Sequence, residues 1–350
     1  MKHRTTLSDI ARELNVTAAT VSRALGDHPK ISQATKQAVL ETAKRLNYQP
    51  NSIASALRRG KSNIIGVIVP TSDRQFFATI IRGIEEETRE QGYHLLICQS
   101  DEQSVTEKKV IDTFLQIRVD GIIACVAKET TDYTPYETIL AQGVPLVLYD
   151  RIVPQITTCS VTSNDFDGAF RTVDHLIQQG CRRIAHFAGQ QHIQMYVDRL
   201  DGYIQALKKH HLPVDESLII ETDLIDKTDT VLTLGSRLMA DLMNHGNRPD
   251  ALFSASDFAA IGALQILKQN GYSVPDDVAL AGYSNDLTAH IVDPGLTSVD
   301  QLTKVMGNTA GKLLLEQTRE EHRSKGTDRI VIDPKLVIRA SSLKTVVELK

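Results

Sequence analysis

Apolar positions in the first 60 residues recur at helical spacing. From residue 64 they give way to short apolar runs alternating with longer amphipathic stretches. Thr6 to Leu14 is one short amphipathic stretch, Asn15-Val16 a turn, and Thr17 to Leu25 a second stretch ended by Gly26. Ile10, Ala11, Leu14, Val16, Val21 and Leu25 fall where two crossed helices bury side chains. Thr6 stands three residues before Asp9 and Ser32 three before Thr35, so both helix starts have a cap, and Thr17 offers a third. Two short helices joined by a tight turn predict a helix-turn-helix, whose second helix fits the major groove of DNA. Pro50 stops a third helix and disfavours helix at Gln49. Residues 52–57 have helical composition, but so short a helix is not stable alone and needs a partner to order it. Arg58-Arg59-Gly60-Lys61-Ser62 then reads as a basic connector.

Beyond it, residues 64–69, 94–99, 121–125 and 146–149 read as buried strands, with helices over 76–91, 105–117 and 136–142 between them. The alternation resumes with strands at 158–162, 183–187, 251–254 and 278–282. Helices at 166–179, 199–210, 230–244 and 259–270 lie among them. Strands alternating with helices predict parallel sheets covered by helices, and two such runs predict two similar lobes. The fold class is therefore α/β, with an all-α headpiece ahead of a two-lobed body.

Charge sharpens this division. Residues 1–63 carry 11 Lys and Arg against 4 Asp and Glu, a net of +7, so the rest of a chain of net charge −4 carries −11. A basic small domain on an acidic body suits phosphate binding with the body held off the DNA. The start of the chain has no apolar stretch of the secretory kind, and the run at 64–69 is too short to span a bilayer. A cytoplasmic protein with no membrane partner is expected. Cys98, Cys125, Cys159 and Cys181 form no C-x-x-C pair and read as buried thiols. No metal or cofactor is expected.

Three segments carry a family resemblance: Thr20-Val21-Ser22-Arg23-Ala24-Leu25, Leu46-Asn47-Tyr48-Gln49-Pro50-Asn51 and Ala54-Ser55-Ala56-Leu57-Arg58. They resemble the lactose-repressor (LacI/GalR) family of bacterial regulators, and the resemblance runs to about residue 342. It implies a DNA-binding domain at 1–50, a hinge helix and linker at 51–62, and a periplasmic-binding-protein-like effector and dimerisation body at 63–343. It also implies three crossings between lobes, with lobe 1 at about 63–163 and 292–325 and lobe 2 at about 164–291 and 326–343. Two subunits are expected to read a near-palindromic operator in double-stranded DNA. Arg23 offers a bidentate fork to a guanine edge or a phosphate. Ala18 and Ala19 take the positions nearest the bases in this family, where methyl groups can meet only thymine methyls or leave room for water. Thr17, Thr20 and Ser22, with Thr6, suit phosphate contacts as well as helix capping. By itself Leu57 reads as local packing; the resemblance implies that it wedges into the minor groove, which bends DNA. Asn51, Ser52 and Ala54 supply the small polar surface beside it.

Ligands of open α/β sheets bind at the carboxyl ends of strands. After the first strand, Asp73, Phe76 and Phe77 are candidates, the aromatics as a stacking wall, although Phe77 reads equally well as core. The segment around Met195 and Arg199 matches the family stretch whose arginine holds effector oxygens; the alternative for Arg199 is an interlobe salt bridge. Asp150 and Asn164-Asp165 follow the fourth and fifth strands. Asp257 reads as a ligand contact or a helix cap. Ser284 stands where many relatives carry an aspartate, and Ser284 and Asn285 can still hydrogen-bond hydroxyls. The resemblance thus implies a small-molecule effector, a carbohydrate or derivative.

Enzyme readings find no support. Gly282-Tyr283-Ser284 begins like a nucleophile elbow, but Asp286 stands where the second glycine belongs. There is neither a Walker loop nor G-x-G-x-x-G after the first strand. The expectation is a sequence-specific, effector-controlled transcriptional repressor. The rivals are an activator with the same parts and a transporter's solute-binding protein, which the basic headpiece disfavours.

Overall fold

The computed structural model describes residues 5–48, 61–225, 228–244, 248–319 and 327–344. The chain divides into two units, Met1–Ser62 and Asn63–Lys350.

The headpiece has three helices: α1 (Leu7–Glu13), α2 (Ala18–Leu25) and α3 (Gln33–Arg45). Their starts are capped as the sequence predicts. Thr6 and Asp9 form a reciprocal capping box, Thr17 accepts from the Thr20 amide, and Ser32 accepts from the Thr35 amide. Asn15 turns the chain between α1 and α2 at φ 50°, in the left-handed region that asparagine tolerates. Ile10, Ala11, Val21, Ala24, Val39 and Ala43 make the core, with Leu14 and Leu25 half-buried around it.

The body holds two six-stranded sheets. The first contains β1 (Ile64–Val69), β2 (His94–Gln99), β3 (Gly121–Ala124), β4 (Leu146–Tyr149), β5 (Cys159–Ser163) and β11 (Arg329–Ile332), in the order β11-β5-β4-β3-β1-β2, all parallel. The second contains β6 (Ile184–Phe187), β7 (Ile219–Ile220), β8 (Ala251–Ser254), β9 (Ala279–Tyr283), β10 (Thr297–Asp300) and β12 (Lys335–Val337), in the order β12-β10-β9-β8-β6-β7. Only β12 runs antiparallel to its neighbour. Helices α4 (Gln75–Arg89), α5 (Ser104–Ile117), α6 (Thr134–Ala141) and α12 (Thr303–Gln317) flank the first sheet. Helices α7 (Asp165–Gln178), α8 (Gln194–Lys209), α9 (Thr228–Asn244), α10 (Asp257–Gln269) and the short α11 (Leu287–Ile291) go with the second. Among the described residues no helix is long and apolar enough to cross a membrane.

The chain passes between lobes three times, but two crossings depart from expectation. Thr297–Asp300 pairs with β9, so the second crossing lies after Asp300 rather than near 292. Arg329–Ile332 pairs with β5, so the return lies after Ile332 rather than near 326. Both sheets thereby recruit their outer strands from the end of the chain. β2 was expected to be buried; it is an edge strand with Leu95 and Leu96 half-buried and Ile97 exposed. α4 and α12 cross closely at Gly83 and Gly307, where a Cβ on Gly307 would stand 2.1 Å from the Ile80 carbonyl oxygen.

Candidate functional site

In the headpiece, Thr17, Ala18, Ala19 and Arg23 are exposed along one side of α2, opposite Val21 and Ala24 in the core. The Thr17 and Thr20 hydroxyls bond each other at 2.9 Å, so both take part in the cap. Ser22 is half-buried on the same helix, and Thr6 belongs to the capping box of α1. Asn51, Ala54 and Leu57 lie outside the described residues.

In the body, the loops after β1, β4, β5, β8, β9 and β10 meet at the carboxyl ends of the two sheets and close a cleft between the lobes. It has two compartments. The inner one is walled by Phe76, Phe77, Tyr196 and Phe258, with Leu224 and Ile225 on the lobe 2 side. Phe76 and Phe77 meet edge to face, their centroids 5.1 Å apart. Phe77 is core and wall at once, for it also belongs to the lobe 1 cluster with Ile80 and Val69. The outer compartment is lined by polar groups, among them Thr130, Thr131, Gln155, Gln191 and Gln194, together with Lys128, Asp165 and Asp198. Asp150, Arg151 and Met195 line both.

Arg199 lines the inner compartment, but its fork is already taken. Nε donates to Asp165 Oδ1 at 2.8 Å, Nη1 donates to the Ala255 carbonyl at 3.0 Å, and the Tyr283 ring lies 3.7 Å from its central carbon. It is 3% exposed. Burial pushes the Asp165 carboxyl up to about 6, against the pull of the Arg199 charge. The proposed alternative for Arg199, a salt bridge between lobes, is also not what forms, since Asp165 and Arg199 both belong to lobe 2.

Asp150 ends β4 at φ 59° and is buried. Its nearest polar partners are weak: the Cys125 thiol at 3.7 Å and Arg151 Nε at 3.8 Å. Burial raises its pKa, with Arg151 and Arg199 opposing. Ser284, at φ 116°, and Asp286 line the inner compartment from the loop after β9. Asp257 sits at the same wall, where its carboxylate accepts from the Ser298 hydroxyl at 2.6 Å and the Asp286 amide at 2.8 Å. It therefore fastens the loop after β9 rather than capping α10. Burial raises it to about 6, the Ser298 hydrogen bond opposing.

Three expected ligand residues are not brought to the cleft. Asn164 caps α7 through the Asp167 amide and donates to Asp333. Asp73 accepts from the Thr71 hydroxyl in the exposed loop after β1. Asn285 accepts from Arg339 at 2.6 Å and donates to Asp300, facing a separate recess beside Leu287 and His290. Short polar side chains in these loops answer local backbone and neighbour demands first.

Other cleft residues were not anticipated. Arg151 makes a two-pronged ion pair with Glu102, both bonds 2.7 Å, and donates to the Val126 carbonyl. Its adjacency to Asp150 after a buried strand was the available signal. Gln301, 1% exposed, lines the inner compartment with an amide nitrogen that has no hydrogen-bond partner. No sequence pattern marks it. Across the cleft mouth, Lys128 pairs with Asp223 at 2.6 Å and Arg74 donates to the Ile225 carbonyl at 2.9 Å.

Two family profiles match the chain: bacterial regulatory proteins, lacI family, over residues 6–51, and the periplasmic binding protein-like domain over residues 173–342. The HTH-type transcriptional repressor CytR of Escherichia coli is 32% identical over 340 residues, covering 96% of each chain. Among solved structures, the transcriptional regulator CelR–cellobiose complex is similar at 28% identity and TM-score 0.71, over 97% of this chain and 100% of that one. The lac repressor dimer bound to operator and the anti-inducer ONPF shares the fold, with TM-score 0.83 at 24% identity over 97% of this chain and 100% of that one.

Proposed function

Because the chain belongs to the lacI family of bacterial regulatory proteins, we propose that this DNA-binding transcriptional regulator is a repressor whose operator affinity is set by a carbohydrate or carbohydrate derivative in the interlobe cleft. The observation that carries the effector reading is the cleft itself. It sets an aromatic wall at Phe76, Tyr196 and Phe258 beside a weakly partnered carboxylate, Asp150, and an unpartnered buried amide, Gln301. Sugars present both faces that such a site requires, an apolar C–H face for rings and hydroxyls for polar groups. The relative solved with cellobiose supports the same chemistry.

The DNA side rests on α2. Its exposed Thr17, Ala18, Ala19 and Arg23 form a small surface with one charged fork. Arg23 contacts a base edge or phosphate, the threonines with Ser22 and Thr6 position the helix on phosphates, and the two alanines meet thymine methyls. Leu57, with Asn51 and Ala54, acts in the minor groove at the operator centre. A homodimer on a near-palindromic site follows from this reading. The half-exposed apolar edge strand β2 supports it, since an edge carrying Leu95, Leu96 and Ile97 is suited to cover by a second copy.

The test is operator binding by the full chain, using a site selected from random DNA, with and without ligand. With about six to ten phosphates neutralised, log affinity falls with log salt at roughly −0.9 per contact. A carbohydrate that stabilises the protein must also change operator affinity. Binding that is flat from low to physiological salt, or affinity indifferent to every stabilising ligand, refutes the reading.

A further inference from the structure

The effector reading leaves open which carbohydrate chemistry the cleft accepts. We infer that it is built for an uncharged glycoside of two linked units, a sugar ring joined through its glycosidic bond to a second ring, and that it turns phosphorylated sugars away. This rests on the cleft being the effector site.

Three of the described cations at the cleft are held in ion pairs with the protein's own carboxylates, and a fourth donates to a carbonyl. Arg199 is held by Asp165 and the Ala255 carbonyl, with Tyr283 covering its face. Arg151 spends both terminal nitrogens on Glu102, while its buried Nε, 3.8 Å from Asp150, has no hydrogen-bond partner. Lys128 is taken by Asp223 and Arg74 by the Ile225 carbonyl. A phosphate drawing on Lys128, Arg151 or Arg199 would have to break a buried or half-buried ion pair and strand its carboxylate, and the lining carboxylates Asp150, Asp165 and Asp198 repel it.

The groups with unused capacity suit a neutral ligand. Asp150 is an acceptor whose nearest partners are a thiol and a guanidinium nitrogen beyond hydrogen-bond range. It takes hydroxyl donors and repels an anion. The Gln301 amide nitrogen, buried in the inner compartment, is a donor without a partner. Ser163 Oγ, buried at the outer compartment, has none either. Buried polar groups are rarely left unanswered, and these three lie along one path.

The two compartments supply the two-unit shape. The inner one offers ring faces, the outer one amides and hydroxyls, and Asp150, Arg151 and Met195 form the waist between them. The outer compartment has a volume of about 400 Å³ and the inner one, narrowed between its aromatic walls, about 70 Å³. A monosaccharide at the inner wall would leave Ser163 and the outer compartment unfilled, whereas a second ring reaches both.

Calorimetry and thermal shift on the full chain, with two matched series, test this. One series is cellobiose and other disaccharides, their component monosaccharides, and glucose 6-phosphate. The other is nucleosides, ribose and nucleoside monophosphates. The arms separate a second sugar from a nucleobase as the outer ring. The expected result is that a neutral two-ring compound raises the melting temperature by about 5 °C at a hundredfold excess over its Kd, while its phosphate and its single ring do not. Asp150→Asn then weakens that compound about tenfold or more. Asparagine tolerates the left-handed backbone at this position, so the variant is expected to fold. Gln301→Leu and the compartment-filling Thr131→Trp lower the same affinity. Binding by a phosphate or a monosaccharide as tight as by the glycoside overturns the inference while the cleft reading stands. So does a panel in which no neutral glycoside binds but a phosphate does. A ligand whose affinity ignores Asp150→Asn, Gln301→Leu and Thr131→Trp alike overturns both.

Discussion

Arg199→Ala is expected to act first on folding and only second on ligand binding. The substitution removes the charge that faces Asp165 and leaves that carboxylate buried with no cation at 2.8 Å. Breaking a buried ion pair by removing one partner costs about 3–5 kcal/mol, and the lost contact with the Tyr283 ring adds about 1 kcal/mol. For a body of this size, with roughly 2 °C per kcal/mol, the melting temperature falls by about 8–12 °C. The deficit depends on pH, with a sign the structure fixes. The Asp165 carboxyl is raised from 3.8 to about 6 in the parent. A carboxyl raised in the folded state destabilises as pH climbs through its folded pKa, and without Arg199 it rises further. At pH 5 the carboxyl is largely protonated in both proteins and the deficit is small; by pH 8 it is full. Arg199→Met combined with Asp165→Asn, which removes both charges, recovers most of the loss. Scanning calorimetry of parent, single and double variants at pH 5 and 8 decides the matter. A fall below about 2 °C, or equal deficits at the two pH values, shows that Arg199 is reserved for the ligand and that the pair with Asp165 is incidental.

Three further outcomes follow from other parts of the body. Gly307→Ala would raise helix propensity by about 1 kcal/mol on an open helix, but its Cβ would stand 2.1 Å from the Ile80 carbonyl oxygen, so a net loss of about 1–3 kcal/mol is expected in urea melts. His186, stacked between Tyr203 and Phe253, is driven by burial from 6.5 down to about 4, so the stability it contributes is complete above pH 6.5 and lost as pH falls toward 4. His186→Phe is therefore expected to flatten that part of the stability–pH profile, and a variant with the parent's slope between pH 7 and 5 contradicts the assignment. Asp223→Asn removes the ion pair with Lys128 at the cleft mouth and should increase the radius of gyration of the unliganded chain in X-ray scattering, with no change counting against a closing role.

What could be read from the sequence was what local chemistry decides. The headpiece is legible to the level of its caps because Thr6, Thr17 and Ser32 each satisfy an amide within three residues. The strand–helix alternation of the body is legible for the same reason, since burial sets its period. The second and third crossings are not. Thr297–Asp300 and Arg329–Ile332 are short strands whose lobe is chosen by distant partners, β9 and β5, and four residues carry no mark of that choice. α8 begins at Gln194, ahead of the expected 199, so Met195, Tyr196 and Arg199 share its first turns rather than a loop. Arg199 itself was legible as a cleft residue but not in its state. Its occupant, Asp165, lies 34 positions away on another helix. Gln301 gave no signal, because an isolated amide after a short strand is uninformative until the cleft is assembled around it.

The same pairing pattern explains why the cleft can open at little cost. Arg151 and Glu102 both belong to lobe 1, while Arg199, Asp165 and Asp257 all belong to lobe 2. Each buried charge is thus neutralised or held within its own lobe, and separating the lobes strands none of them. Among the described residues, polar contacts that do cross include the Lys128–Asp223 pair, the Arg74 bond to the Ile225 carbonyl, and the Leu287 amide to Gln75 Oε1 at 2.8 Å. Contacts of this partly exposed kind contribute about 0–1 kcal/mol each. Driving a two-state equilibrium from 1:99 to 99:1 takes about 5.5 kcal/mol of differential binding, whereas a ligand of micromolar Kd has about 8 kcal/mol in all. A ligand touching Asp150 from one lobe and Tyr196 from the other therefore needs only part of its binding energy to decide the lobe arrangement. Had the buried pairs been formed across the cleft, closure would have been locked by the charges themselves, and no small neutral molecule could have governed it.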